Sequence, residues 1–151
     1  ATMTGMAKAQ TGHATSIAED VVVLLVRASG AALRRANAAL EPFGLRARHY
    51  AAVRIAADTP GGAPQRRIGM LLGLDPSAVV ALVDDLEAAE LVQRQPDPED
   101  RRTRLVSVTP AGLRLLDRVG DIVSEVRDEV LAPLEPGERE LFLAALATIV
   151  G

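Results

Sequence analysis

Residues 73 to 76 read Gly-Leu-Asp-Pro, which ends one helix and begins another with almost no connecting chain. Glycine adopts the left-handed backbone that closes a helix, aspartate caps the free amides of the next, and proline is tolerated only in that helix's first turn. The upstream helix is short, Gln65 to Leu72, and the downstream one runs to about Ala89. Val79, Leu82, Val83 and Leu86 form one apolar stripe on it, leaving Ser77, Ala78, Ala81, Asp84 and Asp85 on or beside the other face.

After Glu90 the period changes from helical to alternating. Leu91 to Gln95 and Arg104 to Val108 read as two short antiparallel strands, joined by a charged, proline-containing loop, 96–103, that projects into solvent. Two short helices on a tight turn, followed at once by a hairpin with a basic loop, are the ingredients of a winged helix-turn-helix.

The flanks are helical. Ser16 with Glu19 forms a capping box, and Ile17, Val21, Leu24 and Leu25 follow at helical spacing, predicting a first helix of about six to seven turns that ends near Leu40. Pro42 and Gly44 close it. A second helix spans about Ala47 to Ala57 before Thr59-Pro60-Gly61-Gly62 breaks it. Thr109-Pro110 restarts a helix in which Leu116, Val119, Val123, Val126 and Val130 make a seam able to pair with another chain. A last helix is expected over Pro136 to Val150, with Leu141, Ala145, Leu146 and Ile149 on its apolar face. The fold is therefore mainly α with a small β-hairpin wing. Residues 45–109 are the expected DNA-binding lobe, 16–44 and 110–151 a helical dimerisation region, and 1–15, which lack periodicity, a flexible N-terminus.

In this architecture the fourth helix presents its N-terminal end to a major groove. Ser77 can donate or accept, Ala78 and Val80 suit thymine methyls, and free amides at the helix start face phosphate or base-edge oxygens. Gln65, Arg66 and Arg67 on the third helix, and Arg101, Arg102 and Arg104 at the hairpin, bracket that helix with positive charge. Asp100 is placed to brace one arginine at the tip while another enters a minor groove. Two plainer readings stay open: an amphipathic helix that merely has small surface residues, and arginines neutralised by Asp97, Glu99 and Asp100 in a solvated network.

Composition narrows the function classes. With 17 basic and 20 acidic residues, a uniformly cationic coat is excluded. Residues 45–110 hold nine arginines and nine carboxylates, while 111–151 hold four basic and eight acidic side chains. DNA binding has to rely on fixed arginine patches, helix-end amides and two copies of the site. A protein-interaction module with weak or lost DNA binding is the alternative, suggested by Asp84, Asp85 and the neutral central lobe. The absence of cysteine removes thiol catalysis, disulfides and thiolate metal sites, and two histidines make a poor zinc cluster. With no glycine-rich phosphate loop either, neither an enzyme nor a cofactor or metal is expected. Met70 reads as packing material. The six-residue apolar run Val21–Val26 falls short of the roughly 20 residues a membrane span needs, so the chain reads as cytoplasmic with no membrane partner.

The runs DPSAVVALVDDLEAAELV, residues 75–92, and DPEDRRTRLVSVTPAG, residues 97–112, closely resemble the MarR family of bacterial and archaeal winged helix-turn-helix regulators. The similarity extends from the first helix to the last. It implies a homodimer built by the terminal helices, two reading helices on a palindromic operator in double-stranded DNA, and repression released by a small aromatic or anionic effector. It also makes Asp100 and Arg102 the wing pair, with Arg102 at the minor groove, Asp100 holding it, and Arg101 a neighbouring phosphate contact. Ser77 matches the small polar residue that opens the reading helix. Val80 stands where threonine is frequent and Asp85 where a basic residue is common, departures that weaken or redirect binding. Glu90 replaces a glycine before the first wing strand, predicting a differently shaped junction. In relatives the effector lies between the dimerisation helices and the DNA-binding lobe, which singles out His49, Tyr50 and Arg54. His49 reads as a ligand contact or as a structural histidine, Tyr50 as core, and Arg54 as an anion selector or the partner of Asp58.

Overall fold

The computed structural model describes residues 16–151; the segment 1–15, expected as a flexible terminus, lies outside the described residues. Helix α1 spans Val21–Leu40. It starts later than the Ser16 box predicts, because Asp20 is the cap: its carboxylate accepts from the amides of Val22 and Val23 at 2.9 and 3.1 Å. Ser16 instead closes a turn whose carbonyl accepts from the Glu19 amide at 2.7 Å. Asp20 stands directly before the apolar run, where its side chain reaches two of the helix's free amides.

A 3-10 turn, Glu41–Phe43, leads to α2 over Ala47–Asp58. The remaining elements are β1 (Ala63–Pro64), α3 (Gln65–Leu71), α4 (Pro76–Ala88), β2 (Val92–Pro96), β3 (Arg104–Val108), α5 (Pro110–Leu131) and α6 (Pro136–Val150). Gly73 takes the left-handed conformation between α3 and α4, with φ 60°. The strands form one antiparallel sheet in the order β1-β3-β2, with Val92 opposite Val108 and Pro96 opposite Arg104. No sequence periodicity predicts β1. Two residues, one a proline, become a strand only through the pairing of Ala63 with Val106 and Pro64 with Leu105.

The main core lies within the central lobe, where Val53, Ile68, Val83, Leu86 and Val106 are sealed from solvent and Leu116 of α5 joins them. A smaller core of Leu40, Leu45, Leu115 and Val119 fastens the end of α1 to α5, and Tyr50 packs against both. Leu116 and Val119 therefore serve the chain's own interior, and the expected α5 seam is left with the half-buried Val123, Val126 and Val130. Helix α6 departs further from expectation. It buries no residue, and apolar side chains emerge all round it, Leu141 at 73% and Ile149 at 69% exposure. Met70 is also a surface residue, 67% exposed, rather than packing material.

The junction before β2 keeps the shape a glycine would give. Glu90 has φ 58°, the one left-handed non-glycine residue among those described. Its carbonyl accepts the Thr109 hydroxyl at 2.6 Å, and the Thr109 amide donates to the Leu91 carbonyl at 3.1 Å, so the start of α5 locks the turn. Carrying a side chain there costs about 1–2 kcal/mol. Gly112 permits the approach: a Cβ on it would lie 2.2 Å from the Leu91 carbonyl oxygen. Among the described residues no helix is long and apolar enough to cross a membrane.

Candidate nucleic-acid interface

The start of α4 is closed by its own cap. Asp75 Oδ1 accepts the Ser77 hydroxyl at 2.7 Å and the Ala78 amide at 2.8 Å. The Ser77 hydroxyl, and after it the Ala78 amide, hold the Asp75 carboxyl below the ordinary carboxylate range. The expected row of free amides is thus already partly committed, and Ser77 offers an incoming base only its acceptor side. Ala78 is half-buried and, with Ala81 and Asp85, lines the cavity beside α1, while Ser77, Val80 and Asp84 are exposed away from that cavity.

Arg94, which sequence reasoning did not single out, joins three elements. Its Nε donates to Gln65 Oε1 at 2.7 Å, its Nη1 to Asp84 Oδ1 at 2.6 Å and to Glu87, and its Nη2 to the Val80 carbonyl at 3.1 Å. Its backbone amide reaches Glu87 Oε1 at 2.7 Å. The planar fork of donors fits several acceptors at once, pinning β2 to α3 and α4. The one trace of this in the sequence is position: Arg94 alternates with the buried Val92, where an apolar residue would ordinarily stand.

Asp100 shapes the wing through the backbone. Its Oδ1 accepts the Arg102 amide and its Oδ2 the Thr103 hydroxyl, both at 3.0 Å. The Thr103 amide returns to the Asp100 carbonyl at 2.8 Å, and Asp97 Oδ1 accepts the Glu99 amide at 2.9 Å. This differs from the expected hold on the Arg102 guanidinium: the short aspartate side chain turns back onto the backbone two residues on, the bonding aspartate favours in turns.

Arg66, Arg67, Arg101, Arg102 and Arg104 are all exposed, and none forms an ion pair among the described residues. Seven of the lobe's nine carboxylates are engaged with other partners: Asp84 and Glu87 with Arg94, Asp58 with Arg54, Asp85 with His49, Asp75 with its helix, Asp97 and Asp100 with the loop backbone. Within a net charge of zero, the arginines of α3 and the wing are thus left without ion pairs while most of the acidic side chains are engaged elsewhere. The solvated arginine–carboxylate network is not formed. On α3 and α4, Gln65, Arg66, Met70, Pro76 and Val80 line a shallow groove of about 490 Å³.

The second expected site is only partly assembled. Two adjoining cavities of about 370 and 460 Å³ share Asn37, Arg46 and His49; the larger also reaches Arg48, Ala78, Ala81, Leu82 and Asp85. His49 Nδ1 accepts the Arg46 amide at 3.1 Å, which places its proton on Nε2, 3.7 Å from Asp85. Asp85 therefore lines the cavity and faces a histidine. Tyr50 and Arg54 line neither cavity: Tyr50 packs into the cores, and Arg54 Nε donates to Asp58 at 3.1 Å. Asn37, whose Oδ1 accepts the Ala47 amide at 2.8 Å, was not legible as a lining residue because it lies on α1, ten positions away.

The MarR family model matches residues 43–103. A solved transcriptional regulator of that family from Rhodococcus sp. RHA1 is 33% identical, with a TM-score of 0.79, over 90% of this chain and 97% of that one. CouR from Rhodococcus jostii RHA1, solved bound to p-coumaroyl-CoA, is 34% identical, with a TM-score of 0.77, over 90% of this chain and 95% of its own. The HTH-type transcriptional repressor NicR of Pseudomonas putida is 31% identical over 90 residues, 60% of this chain and 57% of NicR. The chain thus spans less than three fifths of the length of the curated relatives it matches. The helix-turn-helix, the wing on its three-stranded sheet and the two flanking helical segments recur at one-third identity along nearly the full length of the solved Rhodococcus proteins, and the chain belongs to the MarR family.

Proposed function

We propose that the protein is a homodimeric, sequence-specific DNA-binding transcriptional regulator, a repressor released by a small-molecule effector. The observation that carries this reading is the set of exposed arginines on α3 and the wing that form no ion pair among the described residues. Arg66, Arg67 and Arg101 take phosphates, the Gln65 amide group and Arg104 flank them, and Arg102 reaches a minor groove from a tip shaped by Asp100. Ser77 and Val80 meet base edges, while Ala78 belongs to the cavity side. Residues 45–109 form the DNA-binding lobe, and 16–44 with 110–151 the dimerisation region. The exposed apolar side chains of α1 and α6 support a second copy of the chain as their cover.

The protein works by binding equilibria alone, without a covalent step or cofactor, in the cytoplasm where its operator is accessible. Its effector occupies the cavity between α1, α2 and α4. Arg46, Arg48 and His49 suit an anionic group there, and the p-coumaroyl-CoA complex of CouR supports an aromatic or anionic effector. A ligand touching Asn37 on α1 and Ala81 on α4 changes the spacing of the two reading helices only as far as it prefers one spacing. The pairing of Asp84 with Arg94, and the placement of Asp85 beside His49 at the cavity, favour this reading over a protein-interaction module. Footprinting on duplexes enriched from random sequence at low salt tests the reading. We expect one protected palindrome per dimer; a folded dimer that protects no sequence contradicts it.

A further inference from the structure

We propose that α4 chooses its base pairs chiefly through thymine 5-methyl groups, with Val80 as the residue that meets them. This rests on the regulatory reading above and names the chemistry its operator offers.

Reading guanine at two points requires arginine or lysine, and reading adenine requires asparagine or glutamine. Helix α4 carries none of these; away from the cavity it exposes Ser77, Val80 and Asp84, and the Asp84 carboxylate is engaged by Arg94. Neighbouring side chains that could substitute are committed elsewhere. The Arg94 guanidinium is spread over Gln65, Asp84, Glu87 and the Val80 carbonyl. Gln65 lies on α3 rather than α4 and its amide oxygen is held by Arg94, which fixes its orientation against β2. The Ser77 hydroxyl donates its hydrogen bond to Asp75. What remains at the centre is apolar: Val80, 43% exposed, shares one groove with Met70 and Pro76. Arg66 at the groove, with the exposed Arg67 and wing arginines, supplies positive charge for a duplex. The one apolar group a base pair shows in the major groove is the thymine methyl.

The test begins with a duplex enriched from random DNA, resynthesised with deoxyuridine for thymidine in both half-sites, which deletes only the methyls. Each methyl removed from contact weakens binding about fourfold, so one per half-site gives a loss of about fifteenfold. In Val80→Ala this penalty shrinks toward unity, while Val80→Thr, which keeps one γ-methyl, retains most of it. Val80 is exposed, and unchanged thermal unfolding of both variants separates recognition from folding. Equal affinity for the two duplexes overturns the inference, as does an undiminished penalty in Val80→Ala, which would locate the effect in duplex shape. If no duplex is enriched at all, the regulatory reading fails and this inference falls with it.

Discussion

Helices α4 and α6 are built to the same recipe and end up in opposite surroundings. Each opens on an acid-proline pair, Asp75-Pro76 and Glu135-Pro136, and each is rich in leucine, valine and alanine over 13 and 15 residues. Helix α4 buries Val79, Leu82, Val83 and Leu86, whereas α6 buries nothing. The difference lies in what the rest of the chain supplies. Helix α4 is met by α2, α3 and β2, closing a core around Ile68 and Val106, while α6 leaves Leu141, Phe142, Leu143, Ile149 and Val150 facing outward. An apolar helix records the need for a cover but not whether the cover is in the same molecule.

The sharpest test of the contrast is Leu86→Ala, which empties a sealed position and should lower unfolding stability by about 2–5 kcal/mol, read by denaturant titration. Phe142→Glu should behave differently. The central lobe should unfold as before, sedimentation should report a monomer, and DNA affinity should fall on the order of a hundredfold as the second reading helix is lost. If Phe142→Glu unfolds the lobe instead, the two helices are not distinct in kind. A smaller change is expected for Arg102→Ala, several-fold in affinity, with the slope of log K against log salt reduced by about one unit and stability unaltered. The smallest concerns the cap of α4. Because the native Asp75 carboxyl is held below its ordinary value, its stabilising contribution is complete above the ordinary carboxylate range and fades as the pH falls below it, through the lowered native value. Asp75→Asn should lose that part of the acid limb in pH-dependent melting and leave the limb above neutrality unchanged.

The helix-turn-helix and the hairpin are legible in the sequence because their signals are local. Gly73, Asp75 and Pro76 act on the backbone within a few residues, and the observed bounds of α3, α4, β2 and β3 lie within about one residue of those the pattern predicts. What depends on a through-space partner is not legible. Strand β1 exists only against Val106, and Arg94 becomes a junction only when Gln65, Asp84 and Glu87 converge on it. The Asp20 cap displaces the Ser16 box by competition between two adequate local signals. Glu90 shows the converse: a residue that opposes a left-handed turn is held in one by Thr109 and by the close approach at Gly112. At the candidate site, the arginines could be named from the sequence, but that they lie free of the lobe's nine carboxylates could not.

Two copies joined through the terminal helices should place both α4 faces on one side of a duplex, about one helical turn apart. The decisive measurement is therefore affinity for the enriched palindrome before and after about five base pairs, half a turn, are inserted at its centre. Binding should drop to the level of an isolated half-site, because the second reading helix then faces the wrong side of the DNA. Affinity indifferent to the insertion would contradict the paired reading helices on which the proposed function stands.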